Sequence, residues 1–285
     1  MIKKFTRIIT FLFLCGICMF SKPMKFFKNS KKILKIMKIG GSIITDKSSD
    51  IATAREDIID RIAQEISLHD NQNNQIILTH GTGSFGHPLF EKYNLDEEFN
   101  YIGTMEVYQS EKALNDILIK TLRMHGIKAV SIDPMYNIIC EDGRIKCMNI
   151  DLIQKLMKEG FIPVIFGTMV RDTKRKAYGL SSDQITTYLA EKLDVSGVGF
   201  GSSENGVYDG KGNVITEINP IIFDEFKKYI GDSEHTDVTG GMSAKVKKAL
   251  GASASGLTSF IFNAKQEGNI SRFLQGEEIG TKISS

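Results

Sequence analysis

Acidic side chains are missing from the first 36 residues, which carry nine basic groups instead (Lys3, Lys4, Arg7, Lys22, Lys25, Lys28, Lys31, Lys32 and Lys35). The formal charge of the whole chain is +2, so the remainder is net −7. An acidic body argues against nucleic acid as the main partner, because backbone phosphates require a basic folded surface. The N-terminal segment also lacks an apolar run of the roughly 20 residues that cross a bilayer unaided: the run at residues 8–20 has thirteen apolar or small residues. Its length suits a signal-peptide core, yet no small-x-small cleavage site follows in Cys18-Met19-Phe20-Ser21. Residues 1–32 are read as an extension with three open readings: a targeting peptide, an anchor in weak contact with a membrane surface, or residues upstream of a true start at Met24 or Met37.

Cysteine is scarce, with four in 285 residues. Cys15-x-x-Cys18 falls inside the apolar run, where a packing role outweighs a redox or metal role. Cys140 and Cys147 flank Asp142-Gly143, a two-residue hairpin signal, and are expected on paired strands as packed thiols rather than as a disulfide. No linker rich in Pro, Gly or Ser divides the chain, and no internal repeat is visible. With 41% hydrophobic residues, 33–285 can bury the core of one large domain.

What is present from residue 33 onward is an alternation of short β-branched runs with helical patterns. Strands are expected at 33–39, 75–79, 127–132, 161–166, 195–200 and 257–263. Helices are expected at 53–68 (with a Thr53…Glu56 capping box), 105–125 (stopped by Gly126), 150–159, 182–193, 244–255 and 270–274. Hairpins are expected at 138–147 and 207–215. The alternation predicts an α/β fold: a three-layer α/β/α sandwich around an open, mostly parallel sheet, with ligand over the carboxyl ends of the strands.

The stretch Thr79-His80-Gly81-Thr82-Gly83-Ser84-Phe85-Gly86-His87-Pro88 contains Gly-x-Gly-x-x-Gly behind an apolar run. A nicotinamide-binding unit closes within about 30 residues and places an acid about 20 residues past the glycines. Here the next strand does not end until Asp133, and the first strand already leads into Gly40-Gly41-Ser42. A different anion is indicated. Three glycine loops, Lys38-Ile39-Gly40-Gly41-Ser42, Gly81 to Gly86, and Asp237-Val238-Thr239-Gly240-Gly241-Met242, each offer bare backbone N–H groups. Lys38, Lys47 and Lys245 accompany them, and phosphoryl transfer needs such converging cations and amides more than covalent chemistry.

Together with Gly160-Phe161-Ile162-Pro163-Val164 and Ser181-x-Asp183 before a helix, these loops carry a resemblance. Residues 33–283 resemble the amino acid kinase superfamily, most closely its isopentenyl phosphate kinase branch. Lysine-Gly-Gly-Ser marks the superfamily; Thr45-Asp46-Lys47 and Ser84-Phe85-Gly86-His87 mark the branch. The resemblance implies an amino acid kinase-like fold and transfer of the γ-phosphoryl group of ATP, with Mg²⁺, to a small monophosphate such as isopentenyl phosphate. It implies that Lys38, Asp183, Lys245 and His87 form the catalytic set, with Asp183 holding both lysines. Gly40, Gly41, Ser42, Lys47, Gly240 and Gly241 would join Lys38 and Lys245 around the nucleotide. Gly81, Thr82, Gly83, His87 and Gly167 would hold the acceptor, with His87 on its phosphate; no protein metal ligand is expected. Without its flanking motif, His87 reads equally well as a helix cap ahead of Pro88. The acceptor's tail is expected in an apolar pocket; Met105, Val107 and Tyr108 are candidates to line it, though residues in such a helical stripe are more often core.

The chain departs from the branch at Thr82, Thr168, Ser182, Gln184 and Ser202-Ser203-Glu204-Asn205-Gly206. These departures bear on nucleotide contacts and rate more than on fold. A fosfomycin-type phosphonate kinase and a non-catalytic nucleotide-binding relative stand as alternatives. The resemblance further implies a homodimer, and use of ATP favours the cytoplasm, with a membrane-associated or organelle-targeted form left open by residues 1–32.

Overall fold

A computed structural model describes residues 33–46, 49, 51–69, 74–227, 241–253 and 256–285. The chain divides into two units, Met1–Lys31 and Lys32–Ser285, and every described residue lies in the second. Residues 1–32, Lys47 and the 237–240 part of the third glycine loop lie outside the described residues.

Strand β1 (Ile33–Ile39) leads into one helical turn, α1 (Gly41–Ile44), and a short ribbon of β2 (Thr45–Asp46) and β3 (Thr53–Ala54). Then come α2 (Glu56–Ser67), β4 (Asn74–His80), a 3-10 turn at Gly83–Phe85, α3 (His87–Lys92) and the long α4 (Tyr101–Met124). The middle of the chain supplies β5 (Ala129–Ser131), α5 (Pro134–Asn137), β6 (Ile138–Glu141), β7 (Arg144–Met148), α6 (Ile150–Lys158), β8 (Ile162–Phe166), β9 (Thr168–Asp172) and β10 (Lys176–Leu180). It closes with α7 (Ser182–Lys192), β11 (Gly197–Ser202), β12 (Glu217–Ile218), α8 (Pro220–Phe226), α9 (Gly241–Ser253), β13 (Ser259–Asn263), α10 (Asn269–Gln275) and β14 (Thr281–Ile283).

Eight strands form the main sheet in the order β12-β14-β13-β11-β1-β4-β8-β5, parallel except where β14 meets β13. The period-2 alternation of β1 sorts its side chains between two cores. Leu34 and Ile36 join α6, α7 and α9 through Ile153, Ile185 and Val246; Met37 and Ile39 join α2, α4 and α10 through Ile62, Leu118 and Phe273. The result is the three-layer sandwich. Each fully buried Ile or Leu in these layers contributes about 1.5–3 kcal/mol. Lys38 shares its parity with Ile36, so the sheet itself points this cation toward α7.

Several local expectations are corrected by tertiary pairing. Thr53 does not cap α2: it pairs with Asp46 in the β2–β3 ribbon, and its hydroxyl donates to the Ile51 carbonyl at 2.9 Å. The ribbon shortens the helix to Glu56–Ser67. Helix α4 starts a turn earlier than periodicity suggests, because Asn100 Oδ1 accepts from the Gly103 amide at 2.9 Å. Gly103 sits inside that helix because the Tyr93 ring occupies the place of a side chain, 2.5 Å from where a Cβ would stand. The 207–215 hairpin reduces to one bridge between Tyr208 and Val214. Cys140 and Cys147 are free thiols on adjacent strands, offset by a bulge after Ile139.

A smaller sheet, β10-β9-β6-β7, stands beside the first. Its β9–β10 hairpin was not apparent from the sequence. The buried Asp172 carboxylate holds it, accepting from the amides of Gly143 (2.8 Å), Asp142 (3.2 Å), Lys174 (2.8 Å) and Arg175 (2.9 Å). Burial opposes ionisation, but those amides prevail and hold this carboxyl at about 2.

Candidate active site

The carboxyl ends of β1 and β4 bring the first two glycine loops into direct backbone contact. A Cβ on Gly41 would stand 2.3 Å from the Gly83 nitrogen, and Gly83 itself has φ +51°, a conformation glycine adopts without strain. Thr45 ties the loops together, donating to the Gly41 carbonyl at 2.8 Å and accepting from the Ser84 amide at 3.2 Å. Two expected anion donors are committed elsewhere. The Gly40 amide donates to Gly201 (3.1 Å) and the Gly81 amide to Ile39 (2.9 Å), because both still belong to the parallel ladder. The Gly167 amide is likewise taken, by the His80 carbonyl at 3.0 Å.

Opposite Lys38, α7 opens with a capping box in which Ser181 and Gln184 bind each other's backbone. Asp183 lies in the first turn, where a carboxylate suits the helix dipole. Its Oδ1 is 2.9 Å from Lys38 Nζ, and both side chains are almost wholly buried. Helix α9 adds Lys245 and, one turn on, Lys248, whose Nζ donates to Ser181 Oγ at 3.3 Å. Burial would push Asp183 up, but the charges of Lys38, Lys245 and Lys248 outweigh it and hold the carboxyl at about 2. Asp183 is thus a fixed anion among three cations.

At the other side of the second loop stand His87, at the first position of α3, and Thr104 and Glu111 of α4. Thr82 Oγ1 donates to Glu111 Oε1 at 2.9 Å. Burial pushes the Glu111 carboxyl up to about 8, opposed by the neighbouring hydroxyls of Thr168 and Thr82. Behind the loop, His80 is fully buried, with Nδ1 3.0 Å from the Gly81 carbonyl and Nε2 3.2 Å from Asn115 Oδ1. Burial first, with the charge of Lys38 adding to it, lowers the His80 pKa below the ordinary range.

Lys38, Asp183, Lys245, Lys248, His87, Thr104, Glu111 and the glycine loops border one cleft of about 1020 Å³, with His80 behind it. Of the expected set, its wall includes Lys38, Gly40, Gly41, Ser42, Gly241 and Lys245, together with Gly81, Thr82, Gly83, His87, Gly167 and Asp183. Lys47 and Gly240 lie outside the described residues. On α4 the core reading holds: Val107 and Tyr108 are buried without bordering the cleft, which Thr104 and Glu111 line instead. Lys248 and Glu111 were missed by sequence reasoning, and Thr168 was noticed only as a departure from the branch. Lys248 had a usable signal, its three-residue spacing from Lys245 on a helix; an acid in mid-helix has none. Among the described residues, no group of three or more His, Cys, Asp or Glu is placed to hold a metal ion. No helix among them is long and apolar enough to cross a membrane.

Comparison with known proteins agrees with this geometry. Residues 34–263 match the amino acid kinase family. The chain is 34% identical over 264 residues to the isopentenyl phosphate kinase of Methanothermobacter thermautotrophicus, covering 87% of this chain and 98% of that one. It is also 34% identical over 264 residues to the isopentenyl phosphate kinase of Methanocaldococcus jannaschii, covering 88% and 98%. A crystal structure of an isopentenyl phosphate kinase superposes with a TM-score of 0.76 at 29% identity, over 88% of this chain and 100% of that one.

Proposed function

The chain belongs to the amino acid kinase family, and from that premise we propose that it transfers the γ-phosphoryl group of ATP to isopentenyl phosphate, giving isopentenyl diphosphate and ADP. A phosphate oxygen of the acceptor attacks the γ-phosphorus, the bond to the β,γ-bridging oxygen breaks, and ADP leaves with that electron pair. The attacking phosphate is already anionic at neutral pH, so the reaction needs no general base. What it needs is neutralisation of charge on the moving group and alignment of two anions.

The observation that carries this reading is the buried Lys38–Asp183 pair at the centre of the cleft, with Lys245 and Lys248 adding positive charge from α9. In this reading Lys38 meets the migrating phosphoryl, and Lys245, Lys248, Gly41, Ser42 and Gly241 receive the nucleotide phosphates. Asp183, ionised throughout the physiological range, orients the cations and takes no proton. His87, Thr82 and Gly83 receive the acceptor phosphate. Phe90, Leu95, Phe99 and Met169, which also border the cleft, supply apolar surface for the tail. Mg²⁺ enters as part of the nucleotide complex, held by phosphate oxygens. The donor set supports this: the one buried carboxylate beside the lysines is engaged by Lys38. Cytoplasmic location, a homodimer and membrane contact through residues 1–32 complete the proposal.

The test is direct. Purified chain with ATP, Mg²⁺ and isopentenyl phosphate is expected to produce, beside the pair from ADP, a second pair of coupled phosphorus resonances in ³¹P NMR, that of isopentenyl diphosphate. ADP formation without those resonances, or binding of ATP with no turnover of any monophosphate, would count against it and favour a non-catalytic relative.

A further inference from the structure

Among the described residues that line the cleft, Glu111 is the one buried carboxyl group that the phosphate chemistry does not use. Glu111 is 6% exposed and lies where α4 passes between the second glycine loop and the start of β9. Its Oε1 accepts from Thr82 Oγ1 at 2.9 Å. Gly86 closes on the same oxygen, so that a Cβ there would stand 2.2 Å away. Its Oε2 is buried without a hydrogen-bond partner, as is the Oγ1 of Thr168, the β9 hydroxyl that bears on this carboxyl. Both segments in contact with Glu111 border the cleft, and both carry a threonine at this point.

We propose, resting on the kinase reading above, that Glu111 is a positioning residue for the acceptor: its buried carboxyl group fixes the second glycine loop through Thr82, on the side where the acceptor phosphate docks. A buried polar group left without its partner is costly, so the Thr82 link restricts the loop strongly. The charge state matters because the acceptor is an anion. A carboxylate at this depth would repel it through a medium that screens poorly.

Burial sets the proton affinity of Glu111 at about 8, with the two threonine hydroxyls opposing. The group is neutral at pH 7 and becomes an anion as pH passes 8. The titratable side chains on the elements around it are Tyr101, Glu106, Tyr108, Lys112, Asp116, Lys120 and Arg123 on α4, His87, Glu91 and Lys92 on α3, His80 on β4, and Arg171 and Asp172 on β9. None contributes a charge interaction to its titration, which is governed by burial and hydroxyls. The far end of α4 meets α2 through His125 and Asp60, at 2.7 Å.

Initial rates of the full chain, Glu111→Gln and Thr82→Val between pH 6.5 and 9.5 test the proposal, varying isopentenyl phosphate at saturating ATP and then the reverse. In the wild type the acceptor KM is expected to rise about tenfold between pH 7.5 and 9.5 while the ATP KM does not follow. In Glu111→Gln the carboxamide cannot ionise, and the acceptor KM at pH 9.5 stays within about twofold of its own value at pH 7.5. Thr82→Val raises the acceptor KM at neutral pH and leaves the ATP KM in place. Superimposed profiles for wild type and Glu111→Gln overturn the inference. Should Glu111→Gln fail to fold, an unchanged acceptor KM in Thr82→Val overturns it instead. A wild type that forms no isopentenyl diphosphate at any pH overturns the kinase reading and this inference together, whereas normal turnover with superimposed profiles overturns this inference alone.

Discussion

Lys38 Nζ lies 2.9 Å from Asp183 Oδ1, and neither side chain reaches solvent to any useful extent. Removing one partner strands the other as a buried charge, at a cost of about 3–5 kcal/mol. Asp183→Asn is therefore expected to lose that much stability in urea unfolding at pH 7, and to lose turnover because Lys38 is no longer aimed. A variant as stable and as active as the wild type would show that the pair neither orients nor stabilises.

The same carboxylate sets a limit on acid tolerance. Its folded pKa of about 2 lies below the ordinary 3.8, so its contribution is complete above pH 3.8 and disappears as pH falls through 2. Asp172, held at about 2 by four amides, acts in the same window and with the same sign. Unfolding free energy measured from pH 5 to pH 2 should fall more steeply in the wild type than in Asp183→Asn.

Glu111 has the opposite sign. Its folded pKa of about 8 lies above the ordinary 4.5, so its contribution is complete below 4.5 and is lost as pH rises through 8. Glu111→Gln should therefore melt a few degrees higher than the wild type at pH 8.5, and their difference should shrink toward pH 5. Thermal melts at the two pH values provide the comparison.

Lys248 shares Asp183 with Lys245 and donates to Ser181. Lys248→Met is expected to raise the KM for ATP about tenfold, equivalent to about 1.4 kcal/mol, with a much smaller change in the acceptor KM. Equal effects on both substrates would remove it from the nucleotide side.

His87→Ala should behave in the complementary way, lowering kcat/KM for the acceptor at least about tenfold while ATP affinity, read by fluorescence titration, holds. Unaltered acceptor kinetics would leave this histidine as no more than the first residue of α3, which Gly86 precedes as its cap.

Much of this was legible in the sequence because parallel strands and glycine loops are local patterns. The β1 run, its period-2 parity and the Gly40-Gly41 turn together place Lys38 without any knowledge of its partner. What sequence reasoning missed arises from contacts between distant segments. Thr53 gave up its cap to pair with Asp46, and Gly40 and Gly81 gave their amides to the ladder. Val107 packs as core, as its helical stripe suggests, but nothing in the stripe marks Glu111, which the packing of α4 against β9 brings to the cleft. Local periodicity identifies a buried face but not what that face meets.

Asp172 gathers the tips of two hairpins, at Asp142-Gly143 and at Lys174-Arg175, onto one carboxylate. The small sheet is thereby riveted at its outer end, and Arg175 and Tyr178, which overhang the mouth, travel with it. Neither tip can part from the other without giving up hydrogen bonds to that carboxylate, which keeps this rim of the cleft in one piece.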